Sequence, residues 1–288
     1  MEKLQAALEM ARRKRAEGGA PDAVERPQAP LAGHSAAVPG KAPASHAPTG
    51  LDALWSSLPE AEINQKAMIQ SRILSRQASV ESTPFDVLRT KILFQMRQSG
   101  WRRLAITSPL PRCGKTTIAT NLAIGLGRQP ELRTILFDFD LRDPSVANKL
   151  GIAQPPAMAP LLRGERPFAD HACRIGPNLA LALSGVPDPD PTRLLMSDST
   201  RRTLAAVQAD YEPDIIIFDL PSILIGDDAR AFLQHVDCAL IVARAEQTRY
   251  GDFDSCEREV AEYTNVLGVV LNGYRQDKGV KQARELLE

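Results

Sequence analysis

Residues 108–117 read SPLPRCGKTT, and the second half of this stretch has the residue types of a phosphate-binding loop. Gly114, Lys115 and Thr116 satisfy the end of the pattern G-x-x-x-x-G-K-[ST], whereas Pro109 stands where the pattern has its first glycine. In such a loop the lysine contacts the β- and γ-phosphates of a nucleoside triphosphate, and the hydroxyl binds Mg²⁺. The spacing therefore predicts a site for ATP and Mg²⁺.

Two prolines shorten the part of this loop that can donate hydrogen bonds to phosphate. Pro109 and Pro111 have no backbone N–H. The donors must come from the residues that lead into the next helix, where N–H groups and the helix dipole both favour an anion. The predicted phosphate-binding residues are Arg112, Cys113, Gly114, Lys115, Thr116 and Thr117.

Carboxylates follow two other predicted strands. The stretch ILFDFDLRDP contains Asp138 and Asp140, and residues two apart on a strand face the same side. The stretch IIIFDLP places Asp219 at the end of another strand, where phosphate-loop enzymes carry an acid that helps to hold Mg²⁺. The alternative interpretation is that the two aspartates at this strand end are simply exposed to solvent and have no catalytic role. A phosphate loop and two acidic strand ends at one edge of a sheet favour a catalytic site.

These side chains need a scaffold that brings several strand ends together. From Val80 onward, short apolar segments alternate with helical segments, which is typical of strands buried on both faces. We predict an α/β fold with a doubly wound, mostly parallel sheet flanked by helices and ligands at the carboxyl ends of the strands. The predicted strands are 102–107, 133–139, 179–183, 214–219, 237–243 and 266–271. The predicted helices are 85–98, 115–127, 193–209, 228–234 and 252–263.

The composition argues against several classes of function. The 288 residues include 35 basic and 35 acidic side chains, so bulk charge does not indicate nucleic acid as a partner. The apolar runs are far shorter than the ~20 residues of a membrane helix, and the first residues lack a signal-peptide core, which predicts a cytoplasmic protein. The four cysteines and four histidines show no spacing typical of zinc sites or disulfide frameworks.

The N-terminal part of the chain differs from the remainder. Residues 17–50 are rich in Ala, Pro and Gly, a composition that predicts a disordered tether. Before it, Leu4, Leu8 and Ala11 lie at helical spacing ahead of the basic run 12–15. This segment fits an amphipathic docking helix and equally a frayed terminus. We predict an N-terminal segment and flexible linker over 1–78 and a phosphate-loop ATPase domain over 79–288.

The stretches SPLPRCGKTT, ILFDFDLRDP and IIIFDLPSILIGDDA together resemble the Walker A, Walker A′ and Walker B motifs of the bacterial tyrosine kinases, or BY-kinases, which are related to the deviant Walker ATPases. The form D-x-D-x-R at Asp138, Asp140 and Arg142 separates this family most clearly from other phosphate-loop ATPases. The resemblance extends over residues 80–275, and proline early in the phosphate loop is usual in the family. It implies an ATP- and Mg²⁺-dependent protein-tyrosine kinase of capsule or exopolysaccharide synthesis.

The resemblance also implies roles for single residues. Lys115 and Thr116 match the phosphate and Mg²⁺ contacts. Asp138 matches the Mg²⁺-proximal acid that activates the attacking hydroxyl, while Asp140 and Asp219 match acids that organise the metal. A carboxylate beside the γ-phosphate is chemically suited to accept a tyrosine proton late in phosphoryl transfer.

The resemblance also implies a role for one asparagine and a set of partner proteins. Asn272, in VVLNGY, resembles the family's adenine-contacting asparagine, although an asparagine also closes a strand into a turn. The family implies a membrane-embedded co-polymerase or chain-length regulator as partner. Through it, the chain is expected at the inner face of the plasma membrane, with self-association as a further expectation.

Two positions depart from the family pattern. Arg112 stands where relatives have glycine, which costs ~1 kcal/mol if the backbone there is left-handed. The helix before the phosphate loop carries Thr83, Asp86 and Arg89 where ring-forming relatives have a Glu-Arg-Arg pattern. Ring assembly by that route is therefore not expected.

The phosphate acceptor is not assigned by the sequence. The chain ends in DKGVKQARELLE, without the tyrosine cluster of relatives that phosphorylate themselves. The tyrosines are Tyr211, Tyr250, Tyr263 and Tyr274. Tyr211 and Tyr263 are predicted to be structural, at helix ends or in the core.

Other interpretations stay open at this point. Arg112 and the missing tyrosine tail also fit a degenerate kinase that acts as a nucleotide-gated scaffold. A partitioning or positioning ATPase is a further alternative, but Leu110 stands where that class has its signature lysine. Cys113 lies near a helix N-terminus, so it is either a redox-sensitive thiol or a filler of the loop.

Overall fold

The computed structural model describes residues 50–274. The predictions for the N-terminal segment, for the linker up to residue 49 and for the chain after residue 274 lie outside these residues. The strands are β1 (Arg103–Thr107), β2 (Thr134–Asp138), β3 (Cys173–Ile175), β4 (Leu179–Ala182), β5 (Ile215–Asp219), β6 (Cys238–Arg244) and β7 (Asn265–Asn272). The helices are α1 (Gly50–Ser57), α2 (Gln65–Gln70), α3 (Thr83–Ser99), α4 (Lys115–Gly127), α5 (Val146–Leu150), α6 (Met158–Leu162), α7 (Phe168–His171), α8 (Pro191–Leu195), α9 (Asp198–Tyr211), α10 (Asp228–Leu233) and α11 (Tyr250–Tyr263).

Within residues 50–274 the strands form one sheet in the order β3-β4-β2-β5-β1-β6-β7. Neighbouring strands are parallel except for β3, which runs antiparallel to β4. The predicted α/β fold with a mostly parallel sheet is therefore confirmed. Because β2, β5, β1 and β6 are adjacent, the loops that follow them leave the same edge side by side.

Apolar side chains cover both faces of the sheet. On one face, Leu136 and Ile217 are buried in a cluster with Leu122 of α4. On the other, the rings of Phe137 and Phe218 stack with their centroids 5.3 Å apart. Burial of such a side chain contributes roughly 1.5–3 kcal/mol, so a core on both faces holds the strand ends in fixed positions.

The predicted helix 193–209 is two helices, α8 and α9. Ser197 interrupts it with extended backbone (ψ 147°), and its side chain accepts a hydrogen bond from the N–H of Thr200. Serine at an N-cap offers the backbone an alternative to the helical bond, which ends one helix and starts the next. Strand β3 was not predicted, since three residues are too few to show a hydrophobic period.

Residues before the predicted domain boundary at residue 79 take part in the core. Trp55 and Leu58 are buried, and the Trp55 indole donates a hydrogen bond to the carbonyl of Tyr211 at 2.8 Å. Met68 of α2 packs in the cluster on the α4 face. The core of the described fold thus begins earlier in the chain than the predicted boundary.

Charged residues of α3 make contacts within the chain. Asp86 pairs with Arg89 at 2.8 Å and with Arg128 at 3.2 Å. Arg89 also donates to the carbonyl of Gly125 at 3.1 Å. These side chains tie α3 to the end of α4. No helix in residues 50–274 is long and apolar enough to cross a membrane.

Candidate functional site

The phosphate loop connects β1 to α4 and is anchored at its start. The Ser108 hydroxyl donates to the carbonyl of Leu110 at 2.8 Å, and the N–H of Ile223 donates to the carbonyl of Ser108 at 3.0 Å. The loop is therefore fastened to the segment that follows β5, the strand that ends in Asp219.

The end of the loop presents unpaired N–H groups. Helix α4 begins at Lys115, and no side chain of the described residues caps its N-terminus. The N–H groups of Lys115, Thr116 and Thr117 have no helical partner, because the first turn of any helix lacks the preceding carbonyls. Together with the helix dipole they form a site suited to an anion.

Gly114 is required by its surroundings as well as by its backbone. Its φ is +95°, and a Cβ added there would lie 2.1 Å from Nδ2 of Asn272. That nitrogen donates to the carbonyl of Cys113 at 2.9 Å, and the Asn272 oxygen accepts from the N–H of Gly273 at 2.9 Å. In this structure Asn272 thus holds the phosphate loop and closes the turn after β7, and its contact with adenine stays a prediction.

The backbone of Arg112 is left-handed, which is the condition under which we predicted that a residue other than glycine destabilises the loop. Its φ is +63°, and its side chain is exposed. The guanidinium of Arg244 donates to the carbonyl of Arg112 at 2.7 Å. Two successive carbonyls of the loop, those of Arg112 and Cys113, are therefore held by side chains from the ends of β6 and β7.

The side chain of Cys113 lies inside the protein. It is 4% exposed and packs in the core on the α4 face, with its sulfur 3.7 Å from the Thr248 hydroxyl. This environment fits a filler of the loop better than a reactive thiol, which needs solvent access.

The aspartates at the ends of β2 and β5 lie opposite each other. Asp138 and Asp219 are paired in the register of the two strands. One oxygen of Asp138 accepts from the N–H groups of Ser145 and Val146, both at 3.0 Å. Its other oxygen and both oxygens of Asp219 are buried without a hydrogen-bond partner in the described residues. Buried carboxylate oxygens without donors are costly alone and suited to a cation.

Burial raises the pKa of both carboxylates. For Asp138 the pKa is well above its ordinary value because of burial and then the charge of Asp219. For Asp219 burial raises the pKa to about 6, while the charge of Lys115 and the Thr116 hydroxyl act in the opposite direction. Both groups therefore favour a proton or a metal ion over an uncompensated charge.

Lys115 lies among these acids. Its ammonium group is 2.7 Å from a carboxylate oxygen of Asp140, and both side chains are largely buried. Burial lowers the pKa of Lys115, but the charges of Asp219, Asp140 and Asp138 outweigh it and leave the pKa raised. Lys115 is therefore positively charged at the helix N-terminus where the phosphates are predicted to bind.

A metal at this site would need ligands beyond protein carboxylates. Within residues 50–274, no group of three His, Cys, Asp or Glu side chains is arranged to hold a metal ion. Mg²⁺ usually keeps water and phosphate ligands beside one or two carboxylates, so Thr116, Asp138 and Asp219 fit it only together with a nucleotide.

Arg142 of the D-x-D-x-R stretch forms an ion pair with an aspartate outside the phosphate loop. It pairs with Asp228 at 2.5 and 3.0 Å, and the Thr192 hydroxyl donates to the same carboxylate at 2.5 Å. Asp228 is buried, so one carboxylate joins the loop after β2 to the starts of α8 and α10. This arrangement fixes the loop that carries Asp140.

Two contributors to the site were not identified from the sequence, Arg244 and Asp228. Arg244 ends the apolar strand CALIVAR, and a charge at the carboxyl end of a buried strand was the available signal. Asp228 lies in the stretch GDDA, where nothing in the sequence indicates its partner.

Comparison with known proteins gives a consistent result. No family model matches the chain. A putative tyrosine-protein kinase, EpsB, from Ralstonia nicotianae is 27% identical over 205 residues, which are 68% of this chain and 27% of EpsB. The tyrosine-protein kinase YwqD from Bacillus subtilis is 26% identical over 220 residues, covering 75% of this chain and 91% of YwqD.

Solved structures agree with these relatives. The VpsO kinase domain matches with a TM-score of 0.60 and 27% identity, over 68% of this chain and 97% of that domain. The chain is therefore similar to bacterial tyrosine kinases in both sequence and fold. It spans about a quarter of the length of EpsB and most of the length of YwqD. A cobyrinic acid a,c-diamide synthase from Mycobacterium smegmatis, solved with ADP and magnesium, shares the fold at a TM-score of 0.50 and 21% identity, over 65% of this chain and 79% of the synthase.

Proposed function

We propose that this BY-kinase homologue binds ATP and Mg²⁺ and transfers the γ-phosphate to protein tyrosine. The observation that supports the proposal most is the gathering of Lys115, Asp138 and Asp219 around an uncapped helix N-terminus. This site combines donors for phosphate with buried carboxylate oxygens that lack partners. Phosphoryl transfer depends mainly on positioning and on neutralising charge, which this arrangement supplies.

Each side chain has a binding task in this proposal. The N–H groups from Arg112 to Thr117 cradle the phosphates, and Lys115 exchanges Asp140 for the β- and γ-phosphate oxygens. Thr116, Asp138 and Asp219 hold Mg²⁺, which when bound neutralises charge on the phosphates. Asn272 borders the nucleotide from the end of β7.

Asp138 is the proposed proton acceptor. One of its oxygens has no hydrogen-bond partner within the described residues, while the other is fixed by the N–H groups of Ser145 and Val146. A carboxylate held in one orientation can take the proton of an attacking tyrosine hydroxyl. Asp140 keeps Lys115 in place until the nucleotide arrives.

The cellular task that we propose is regulation of exopolysaccharide or capsule polymerisation and export at the cytoplasmic face of the plasma membrane. The proposed partner is a membrane-embedded polysaccharide co-polymerase. Support comes from the family and from a relative named for a capsule region in Klebsiella pneumoniae, "Putative tyrosine-protein kinase in cps region". The division of the chain into an N-terminal segment and a phosphate-loop ATPase domain belongs to the same proposal.

The experiment is incubation of the purified chain with labelled ATP and Mg²⁺, with and without the partner's cytoplasmic segment. Phosphotyrosine is measured on the chain and on a poly(Glu,Tyr) peptide. We expect transfer by the wild type and loss of transfer in Lys115→Met. If the wild type transfers no more phosphate than Lys115→Met under either condition, the kinase proposal is wrong.

A nucleotide-gated scaffold is the second candidate, and the left-handed backbone of Arg112 favours it. A strained loop residue where relatives have glycine fits a protein that binds ATP without rapid turnover. Tight ATP binding together with turnover equal to that of Asp138→Asn would select the scaffold over the kinase.

A further inference from the structure

Arg112 differs from its neighbours in the phosphate loop because it combines a left-handed backbone with a long side chain. Its φ is +63°. Residues other than glycine are destabilised in this conformation, and they persist where the surrounding structure holds them, most often at functional sites. Here the Arg244 guanidinium holds the backbone by donating to the Arg112 carbonyl at 2.7 Å. The strain therefore indicates a task for the Arg112 side chain.

Two other arginines near the loop are bonded to the protein itself. Arg142 pairs with Asp228, and Arg244 donates to the loop. Arg112 is exposed, and its guanidinium forms no hydrogen bond or ion pair with residues 50–274. Within the described part of the chain, its N–H donors are thus free for a ligand.

The acidic side of the site leaves a triphosphate in need of further positive charge. The Lys115 ammonium is bonded to Asp140 at 2.7 Å, and Asp138 lies opposite Asp219 in the strand register. Burial raises the pKa of Asp219 although the charges of Lys115 and Lys149 oppose it. ATP adds negative charge of its own, and Mg²⁺ neutralises only part of it. A second cation on the loop is therefore electrostatically favoured.

The position of Arg112 in the chain suits this role. It directly follows Pro111, and neither Pro109 nor Pro111 has an N–H to offer a phosphate. It stands three positions before Lys115, so both cations extend from the same short loop. A guanidinium presents paired N–H donors that match two phosphate oxygens. The side chain of Arg112 can thus supply the donors that the prolines remove.

We infer that the Arg112 guanidinium binds the γ-phosphate of ATP held by the same chain. The inference rests on the proposed kinase function and adds a catalytic residue to that site. During transfer, the bond from the γ-phosphorus to the bridging oxygen of ADP breaks, the bond to the tyrosine oxygen forms, and the phenolic proton passes to Asp138. The N–H donors of Arg112 neutralise the charge on the γ-phosphate oxygens while this happens.

The test compares Arg112→Gly with the matched control Arg72→Gly. Arg72 is also exposed and left-handed, with φ +57°, and its carbonyl is held by Nδ2 of Asn121 at 2.9 Å. Asn121 lies almost two helical turns along α4 from Lys115, outside the phosphate loop. Both substitutions relieve the same kind of backbone strain. We expect both variants to be at least as stable in urea as the wild type, so a loss of activity is not a loss of folding.

Two measurements follow the γ-phosphate. In Arg112→Gly, kcat for transfer to poly(Glu,Tyr) should fall at least tenfold, and Arg112→Lys, which keeps the charge without the paired donors, should lie between this variant and the wild type. Calorimetry with Mg²⁺ gives the Kd for ADP and for the non-hydrolysable ATP analogue AMP-PNP. Because ADP lacks the γ-phosphate, the ratio of these two Kd values should fall at least threefold in Arg112→Gly. In Arg72→Gly, the rate and the ratio should stay within twofold of wild type.

The outcomes separate this inference from the kinase proposal. If Arg112→Gly keeps the wild-type Kd ratio, the inference is overturned, whether its rate falls, stays or rises as relief of strain in a nucleotide-gated scaffold predicts. Loss of transfer in Lys115→Met leaves the kinase function standing in that case. Recovery of transfer on mixing Arg112→Gly with Lys115→Met overturns the assignment to the same chain. If the wild type transfers no phosphate, the kinase function is contradicted, and the Kd ratio alone decides whether Arg112 contacts the γ-phosphate.

Discussion

The two sides of the phosphate loop differ in how their polar groups are satisfied. On the acidic side, formed by Asp138 and Asp219 at the ends of β2 and β5, three buried carboxylate oxygens have no donor within the described residues. On the clamp side, formed by Arg244 and Asn272 at the ends of β6 and β7, both side chains are bonded to carbonyls of the loop. Within residues 50–274, the buried oxygens of the acidic side therefore lack hydrogen-bond donors, whereas the side chains of the clamp side are bonded to the loop.

This difference separates two tasks within one site. Unpartnered buried charge costs folding free energy and favours a ligand that neutralises it. The hydrogen bonds already formed on the clamp side stabilise one conformation of the loop, so a ligand gains little binding free energy from these groups. Changes on the acidic side should therefore alter chemistry and pH dependence, and changes on the clamp side should alter stability and affinity.

The largest expected effect is loss of phosphoryl transfer in Asp138→Asn. The amide keeps the shape of the side chain but cannot accept the proton of a tyrosine, and loss of a general base typically costs about 100-fold to 10,000-fold in rate. Initial rates of transfer to poly(Glu,Tyr) measure it. Asp254→Asn, at an exposed surface pair on α11, is the control and should retain the wild-type rate. A rate for Asp138→Asn within threefold of wild type would remove this residue from the chemistry.

On the clamp side, Gly114→Ala should destabilise the fold by about 1–3 kcal/mol, because the added Cβ meets Asn272 and the backbone at φ +95° is left-handed. Urea unfolding and the Kd for ATP measure the effect. Gly251→Ala is the matched control, since no atom of the described residues lies within 4 Å of its added Cβ. Adding Asn272→Ala to Gly114→Ala should recover part of the loss, and a double variant no more stable than Gly114→Ala would argue against this contact.

Asp219→Asn should stabilise the nucleotide-free protein by roughly 1–3 kcal/mol at pH 8, because it removes a buried charge. The pKa of Asp219 is raised from 3.8 to about 6 by burial, so between these values the unfolded chain is more ionised than the folded one. Stability therefore falls as the pH rises through this window, and the cost is fully present above it.

The gain from Asp219→Asn should accordingly shrink as the pH is lowered from 7 to 4. Urea unfolding at several pH values, without nucleotide or Mg²⁺, measures this dependence. A gain that is equal at pH 4 and pH 8 would show that the charge of Asp219 is not what destabilises the acidic side.

The smallest expected effect on stability is that of Arg112→Gly. Glycine adopts φ +63° without a Cβ penalty, so the variant should be more stable by about 0.5–1 kcal/mol. The backbone carbonyl that Arg244 holds is retained. Thermal unfolding measures the change, and unchanged or lower stability would indicate that the Arg112 side chain offsets its own backbone cost.

The strands that carry the site were predictable from the sequence. Buried parallel strands appear as apolar runs, and the stretches that end in Asp138 and Asp219 are such runs with a polar residue at their carboxyl ends. The beginning of α4 at Lys115 was predicted for a similar reason, since Gly-Lys-Thr after a strand marks a helix that starts at the loop. In these cases the signal is local.

The contacts of the clamp side were not predictable. Arg244 and Arg112 are 132 positions apart, and Asn272 and Cys113 are 159 apart. Residue type does not indicate such partners, because they depend on which strands become neighbours in the sheet. For the same reason, the resemblance to the kinase family suggested adenine as a partner of Asn272, but nothing in the sequence indicated its bond to the phosphate loop.

The sequence by itself determined the inventory of this protein: a lysine and a hydroxyl at the start of a helix, carboxylates at strand ends, and strands apolar enough to be buried on both faces. Tertiary structure decided the pairing of Asp138 with Asp219, the contact of Lys115 with Asp140 and the left-handed backbone of Arg112. The physical reason is that local side-chain chemistry and periodicity act over a few residues, whereas burial, register and charge compensation depend on groups brought together from distant parts of the chain.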